Sequence, residues 1–154
     1  MKIASALILS ILCIQLFAYS NKDKIKIQTY SNVYKNIDTM KLKISVGSLV
    51  FTATLQNSAT VSAFRARLPL TINMKELNGN EKQGELLRDL PTNSSNPGAI
   101  HTGDLMLWGS NTIVLFYKSF STPYSYTRIG KIDDTSGLAA AVGDGNVTII
   151  FEAK

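Results

Sequence analysis

Residues 104–118 carry two strand-favouring runs, Asp104-Leu-Met-Leu-Trp108 and Thr112-Ile-Val-Leu-Phe-Tyr-Lys118, on either side of Gly109-Ser-Asn111. Two such runs about a short Gly-containing loop predict a β-hairpin. The second arm is almost continuously apolar. A strand of that kind is buried on both faces or lies in the middle of a barrel wall.

The rest of the chain repeats this theme in smaller pieces. Lys41-Leu-Lys-Ile-Ser-Val46 alternates polar with apolar, Gly47-Ser48 reads as a turn, and Leu49 to Leu55 resumes in strand-favouring residues. Ser58 is placed to cap a short helix in which Val61, Phe64 and Leu68 fall at helical spacing before Pro69. Leu70 to Leu77 alternates again, and Asn78-Gly79 marks a tight turn with positive φ. Residues 80–103 hold loop chemistry, with Leu86, Leu87 and Leu90 placed to pack part of it down. Arg128 to Ile132 is a further strand, Thr135-Ser136 a cap for a second helix through Val142, and Asn146 to Glu152 a last strand. Seven or eight short strands, two short helices and no βαβ alternation predict a mainly β fold, a closed antiparallel barrel with the helices over its ends.

The ends of the chain suggest export. Met1-Lys2 is basic, Ile3 to Ala18 is nearly all apolar, and Ala18-Tyr19-Ser20 places small residues before a cut at Asn21, the shape of a secretory signal peptide. The apolar run is about sixteen residues, against roughly 20 for a membrane span. A lipoprotein signal would use Cys13, but Leu12 precedes it where a small residue is preferred. The expected organisation is a signal over 1–20, a lysine-rich spacer over 21–40 and one domain over 41–154. Cleavage at Asn21 removes the only cysteine, so disulfides and thiolate chemistry leave with it. The domain must then rest on its apolar core, and 45% hydrophobic residues supply the material.

The net charge of +5 is local. Six lysines against Asp23 and Asp38 lie between Asn21 and Val46, whereas Gly47 to Lys154 carries nine basic and nine acidic residues. Nucleic-acid binding needs clustered cations with stacking aromatics on one surface, and this distribution does not give that. The spacer reads as solvated chain or an irregular first strand.

The residues that could carry chemistry are few. His101 lies three residues before Asp104 and is the one histidine, so a catalytic zinc site with three protein ligands is not offered. No metal and no cofactor is expected. Gly143-Asp-Gly145 precedes a strand rather than following one, which makes it a turn and not a dinucleotide motif. The aromatics stand out: Phe116, Tyr117, Phe120, Tyr124 and Tyr126 are five of the twelve Phe and Tyr residues, within eleven positions. Phe116 and Phe120 can serve as core, with Tyr124 and Tyr126 spanning core to solvent. Together with Trp108 and Arg128 the tyrosines can also frame a shallow apolar groove at a barrel mouth, suited to a peptide or small organic ligand.

Leu68-Pro-Leu70, Met74-Lys-Glu-Leu-Asn-Gly-Asn-Glu81, Gly103-Asp-Leu-Met-Leu107, Leu115-Phe-Tyr117 and Tyr124-Ser-Tyr-Thr-Arg-Ile-Gly130, taken in order, resemble a bacterial cyclophilin-like domain family. The resemblance spans about Leu42 to Glu152. It implies a cyclophilin-type barrel of about eight strands with two helices, in agreement with the strand count. True cyclophilins are prolyl isomerases that hold an arginine over an apolar pocket; the Phe-His-Arg stretch that carries it is not found here, and no catalytic residue transfers. The expected protein is an exported monomer, periplasmic or secreted, binding a peptide or small ligand at an aromatic mouth. Its candidate residues are Tyr117, Tyr124, Tyr126, Arg128, Trp108, Arg65 and His101. Two alternatives are a diverged isomerase using Arg128 or Arg65 with Tyr117, Tyr124 and Trp108, and an accessory module of a larger complex.

Overall fold

A computed structural model describes residues 24–30 and 40–154. The expected signal, 1–20, lies outside the described residues, as does most of the spacer. Within the spacer, residues 24–30 form a helix (α1) whose residues are all exposed, instead of an irregular strand. Lysine, isoleucine and glutamine tolerate a helix, and the Thr29 hydroxyl donates back to the Ile25 carbonyl at 2.9 Å. This unit is distinct from the unit that begins at Thr39.

In the second unit eight strands close an antiparallel barrel. They are β1 (Lys41–Val46), β2 (Leu49–Leu55), β3 (Leu70–Leu77), β4 (Glu81–Glu85), β6 (Asp104–Trp108), β7 (Thr112–Phe116), β9 (Thr127–Ile132) and β10 (Val147–Ala153). Around the barrel the order is β1-β10-β3-β4-β7-β6-β9-β2. A separate two-stranded ribbon pairs β5 (Ala99–Ile100) with β8 (Phe120–Ser121). Helices α2 (Ala59–Arg65) and α3 (Leu138–Val142) complete the unit.

The alternation in β1 sends Leu42, Ile44 and Val46 inward, and β2 answers with Phe51, Ala53 and Leu55. The two short helices add Val61 and Phe64, and Leu138 and Val142, to the same interior cluster. Phe64 meets Phe151 edge-on at 6.0 Å. Each fully buried side chain of this size contributes about 1.5–3 kcal/mol of burial. The Ser58 cap holds: its hydroxyl accepts from Val61 N–H at 3.2 Å. The helix ends at Arg65, however, three residues short of Leu68. For α3 the cap is Gly137 at φ 78°, without a side-chain bond, and not Thr135 or Ser136.

Strand β4 falls inside the stretch expected to be loop. Its five residues include no apolar side chain, so hydropathy gives no sign of it. Two features let it pair. Gly84 faces inward where a Cβ would lie 2.3 Å from Ile72 Cγ2. Lys82, also inward and fully buried, finds polar partners at one end of the barrel: an ion pair with Glu76 and the carbonyls of Gly143 and Gly145 at 2.7 and 2.6 Å. Of the loop leucines, Leu86 and Leu90 pack down and Leu87 is fully exposed. The guanidinium of Arg67 ties this loop down, donating to the Arg88 and Asp89 carbonyls at 2.6 Å each.

Strand β7 is buried on both faces, and the structure explains why. Ile113 and Leu115 join the interior cluster, while Val114 and Phe116 join a second cluster with Ile100, Met106 and Tyr126. Alternate residues of one barrel strand point to opposite sides, so the second cluster lies on the outer wall. The β5–β8 ribbon and a Ser95–Tyr126 bridge fold the segments before β6 and before β9 over that wall.

Candidate functional site

The outer wall of β4, β7 and β6 carries the aromatic residues that the sequence singles out. Trp108 closes β6, and Tyr124 and Tyr126 lead into β9. The Trp108 and Tyr124 rings stand edge to face at 5.6 Å and 87°, and Trp108 and Tyr126 lie 5.3 Å apart. Tyr126 then meets Phe116 at 5.5 Å and 88°, and Phe116 meets Phe120 at 5.7 Å. Edge-to-face pairs at these spacings are favourable beyond their burial. The segment that presents them is fixed by backbone bonds. Ser95 and Tyr126 exchange N–H to carbonyl bonds at 3.0 Å, and Thr122 N–H donates to the Gly98 carbonyl at 3.0 Å.

Between these rings and the β3–β4 turn lies a cleft of about 310 Å³. Trp108, Phe120, Tyr124 and Tyr126 form one side of it, and Val114 and Leu77 add apolar floor. Asn78, Asn80, Glu81 and Gln83 supply the polar groups. The turn that delivers them bends through Asn78 at φ 56° and Gly79 at φ 68°, the left-handed conformations that Asn-Gly favours. A second cavity of about 440 Å³ abuts the first, sharing Gln83 and Trp108 and adding Lys75 and Glu85.

Glu81 is the cleft's charged residue, and it was not among the expected site residues. It stands across the ladder from Phe116 and is only 7% exposed. Among the described residues no hydrogen bond or ion pair reaches its carboxylate. Burial, reinforced by the negative charge of Glu76, pushes its pKa up to about 7. Burial and then the Glu81 charge also raise the Tyr126 hydroxyl. The Asn80 Oδ1 is buried and without a hydrogen-bond partner. The Asn-Gly turn is the signal that could have exposed Glu81: a tight turn at 78–79 requires a returning strand directly after it, and alternation along that strand puts Glu81 and Gln83 on one face.

The expected site residues separate into two groups. Trp108, Tyr124 and Tyr126 come together. Their place is the outer wall and not a barrel mouth, because β6, β7 and β4 turn their odd and even positions to opposite sides and the rings fall on the outward set. Tyr117 is not with them. It is buried in the interior cluster, and its hydroxyl donates to Glu76 at 2.9 Å beneath the Lys82 ion pair. Burial and that bond raise its pKa to about 12. Arg128 is exposed on β9 opposite Met106, beside a bulge, and does not line the cleft. Arg65 ends α2, with its Nε buried and unpartnered. His101 is exposed, with Nδ1 3.7 Å from the buried Asp104. Asp104 accepts from the His101 backbone N–H at 2.9 Å, a loop-fixing bond.

A cleft of this kind can hold a small organic group or a short stretch of peptide between rings, with two asparagines, a glutamine and a carboxyl to orient it. The closed barrel itself offers a peptide no free strand edge.

No curated protein matches the chain. Among solved structures it is similar to the solution structure of the hypothetical protein AF2241 from Archaeoglobus fulgidus, at 21% identity and a TM-score of 0.51, over 75% of this chain and 95% of that one. That likeness is one of fold. A family model described as the cyclophilin-like family matches residues 44–152, which takes in half of β1, β10 but for its last residue, and the other six barrel strands whole. The chain belongs to the cyclophilin-like family.

Proposed function

We propose that the protein is an exported, monomeric binding module whose outer-wall cleft takes a peptide or small organic ligand. The observation that carries this reading is the convergence of Trp108, Tyr124 and Tyr126 on one cavity that also takes in Glu81, a largely buried residue without an ion pair among the described residues. Rings presented to solvent beside an apolar floor and a few polar groups are the features of a recognition site rather than of a core. Trp108 is 42% exposed and Tyr124 59%, so neither is spent on packing the fold. Export rests on the leader-like sequence of residues 1–20.

Isomerase chemistry fits this cleft less well. It needs an arginine over an apolar pocket, and neither Arg65 nor Arg128 is among the lining residues. The charged group present is acidic.

Trp108 is the chain's one tryptophan, so intrinsic fluorescence reports on the cleft. Titration with a panel of short unstructured peptides and small aromatic or aliphatic probes should give saturable changes in emission for some members, weakened at least several-fold by Tyr124→Ala. If no member perturbs Trp108 and calorimetry finds no binding, the cleft is not a recognition site.

A further inference from the structure

Building on the reading of the cleft as a binding site, we infer that its ligand carries an alkylammonium group, seated against the aromatic rings with Glu81 as its counter-ion. Three observations meet here. The rings of Tyr124 and Tyr126 lie 5.6 and 5.3 Å from that of Trp108 in edge-on and tilted arrangements rather than stacked, and all three line the cavity. Aromatic ring faces attract cations, and an ammonium among two or three rings is the aromatic-cage arrangement. Glu81 is more than nine-tenths buried on the same cavity and has no partner of its own among the described residues. A largely buried carboxylate is ordinarily paired, yet among the described residues no side chain of a neighbouring element forms an ion pair with Glu81. From β3 the neighbours on the same face are Leu77 and, one step along, Lys75, which lines the adjoining cavity and makes no ion pair with Glu81, while Glu76 stands on the inward side, paired to Lys82. From β7 it faces Phe116 and Val114, and from the segment before β9 Tyr124 and Tyr126. Lys82, its neighbour on β4, points to the opposite side of the strand. Lys118 sits over the Tyr117 ring. Third, the Asn80 Oδ1 at the same turn is an unused buried acceptor, and an ammonium bearing N–H groups would satisfy it as well.

A neutral donor could bond the Asn80 oxygen but would leave the Glu81 charge uncompensated. A carboxylate ligand would add a second negative charge beside Glu81. An alkylammonium answers all three features, whether it arrives as a free amine or as the lysine side chain of a peptide.

The test uses Trp108 emission of the full chain with three probes: n-butylammonium, the neutral alcohol n-pentanol, whose extra methylene favours it on apolar contact alone, and a blocked peptide with one central lysine. Butylammonium is expected to bind at least about tenfold more tightly than pentanol at pH 8. Its affinity should fall by about tenfold per pH unit below 7 as Glu81 takes up its proton. Glu81→Gln should remove both the preference for the cation and the pH dependence. A peptide tighter than butylammonium assigns the cation to a peptide side chain, and the reverse order assigns it to a free amine; both support the inference. Equal binding of butylammonium and pentanol, or cation binding by the parent protein that ignores pH, overturns it while the cleft remains a binding site. If none of the three probes moves Trp108 but uncharged peptides do, the cation reading alone fails. If nothing at all binds, the reading of the cleft fails with it.

Discussion

Glu81 and Phe116 face each other across the β4–β7 ladder on the outside of the barrel, and that pairing places a carboxyl under a layer of aromatic rings. Burial without a partner raises the Glu81 pKa to about 7 from an ordinary value of 4.5. The folded protein therefore holds this proton where the unfolded chain has released it. The contribution is fully present below pH 4.5 and is lost as pH rises through 7. Stability should fall between pH 5 and 8 by at most about 3 kcal/mol, read as a shift in urea midpoint, and Glu81→Gln should flatten the profile in that window.

Below pH 4.5 the sign reverses. Burial acts to raise the Glu76 carboxyl, but the hydrogen bonds from Lys82 and Tyr117 and the Lys82 charge outweigh it and hold it below the ordinary range. Stability from Glu76 is present above that range and drains away as pH falls through its lowered value. The parent protein should thus be most stable near pH 5, and Glu76→Gln should blunt the acid-side loss in the same urea series.

Lys82 is fully buried, and its ammonium serves Glu76 and two carbonyls at once. Lys82→Ala strands a carboxylate and two carbonyls, and the expected loss is about 3–5 kcal/mol. Tyr117→Phe removes one hydrogen bond to the same carboxylate and should cost about 1–3 kcal/mol. Chemical denaturation of the two variants should rank them in that order.

Gly84 is required by space. A Cβ there would meet Ile72 Cγ2 at 2.3 Å and Met74 Cγ at 3.2 Å. Gly84→Ala should destabilise by about 1–3 kcal/mol through overpacking, and Ile72→Ala, which removes the clashing Cγ2, should cost less in the Gly84→Ala background than in the parent, measured by thermal unfolding.

Binding and stability should separate at the cleft. Trp108 is substantially exposed, so Trp108→Ala should cost about 1 kcal/mol or so, the worth of its ring contacts, while abolishing ligand binding measured by calorimetry. Arg128→Ala, on a residue outside the cleft, should change neither.

Much of the barrel can be read from the chain because its core strands alternate. Leu42, Ile44 and Val46 in β1, and Ile72 and Met74 in β3, announce both strand and inward face. Strand β4 cannot be read that way. Its inward positions are a lysine, buried only because Glu76 and the turn at 143–145 receive it, and a glycine, tolerated because Ile72 fills its space. Both are properties of partners distant in sequence. The same gap hid Glu81, since a carboxyl in an unrecognised strand has no face. The aromatic cluster was legible in composition, yet its side of the wall depends on register: Tyr117 sits one residue beyond Phe116 and so turns to the interior, away from Tyr126.

The most direct test of the outer-wall cleft as the binding site is a two-dimensional NMR titration of the isotope-labelled protein with the tightest ligand found in the fluorescence panel. The account predicts that the Trp108 indole N–H, the amides of Asn78 to Gln83 and those of Tyr124 to Tyr126 shift together. Shifts gathered instead around Gly143 to Gly145 at the barrel end, or around His101 and Arg128, with the Trp108 indole unmoved, would contradict it.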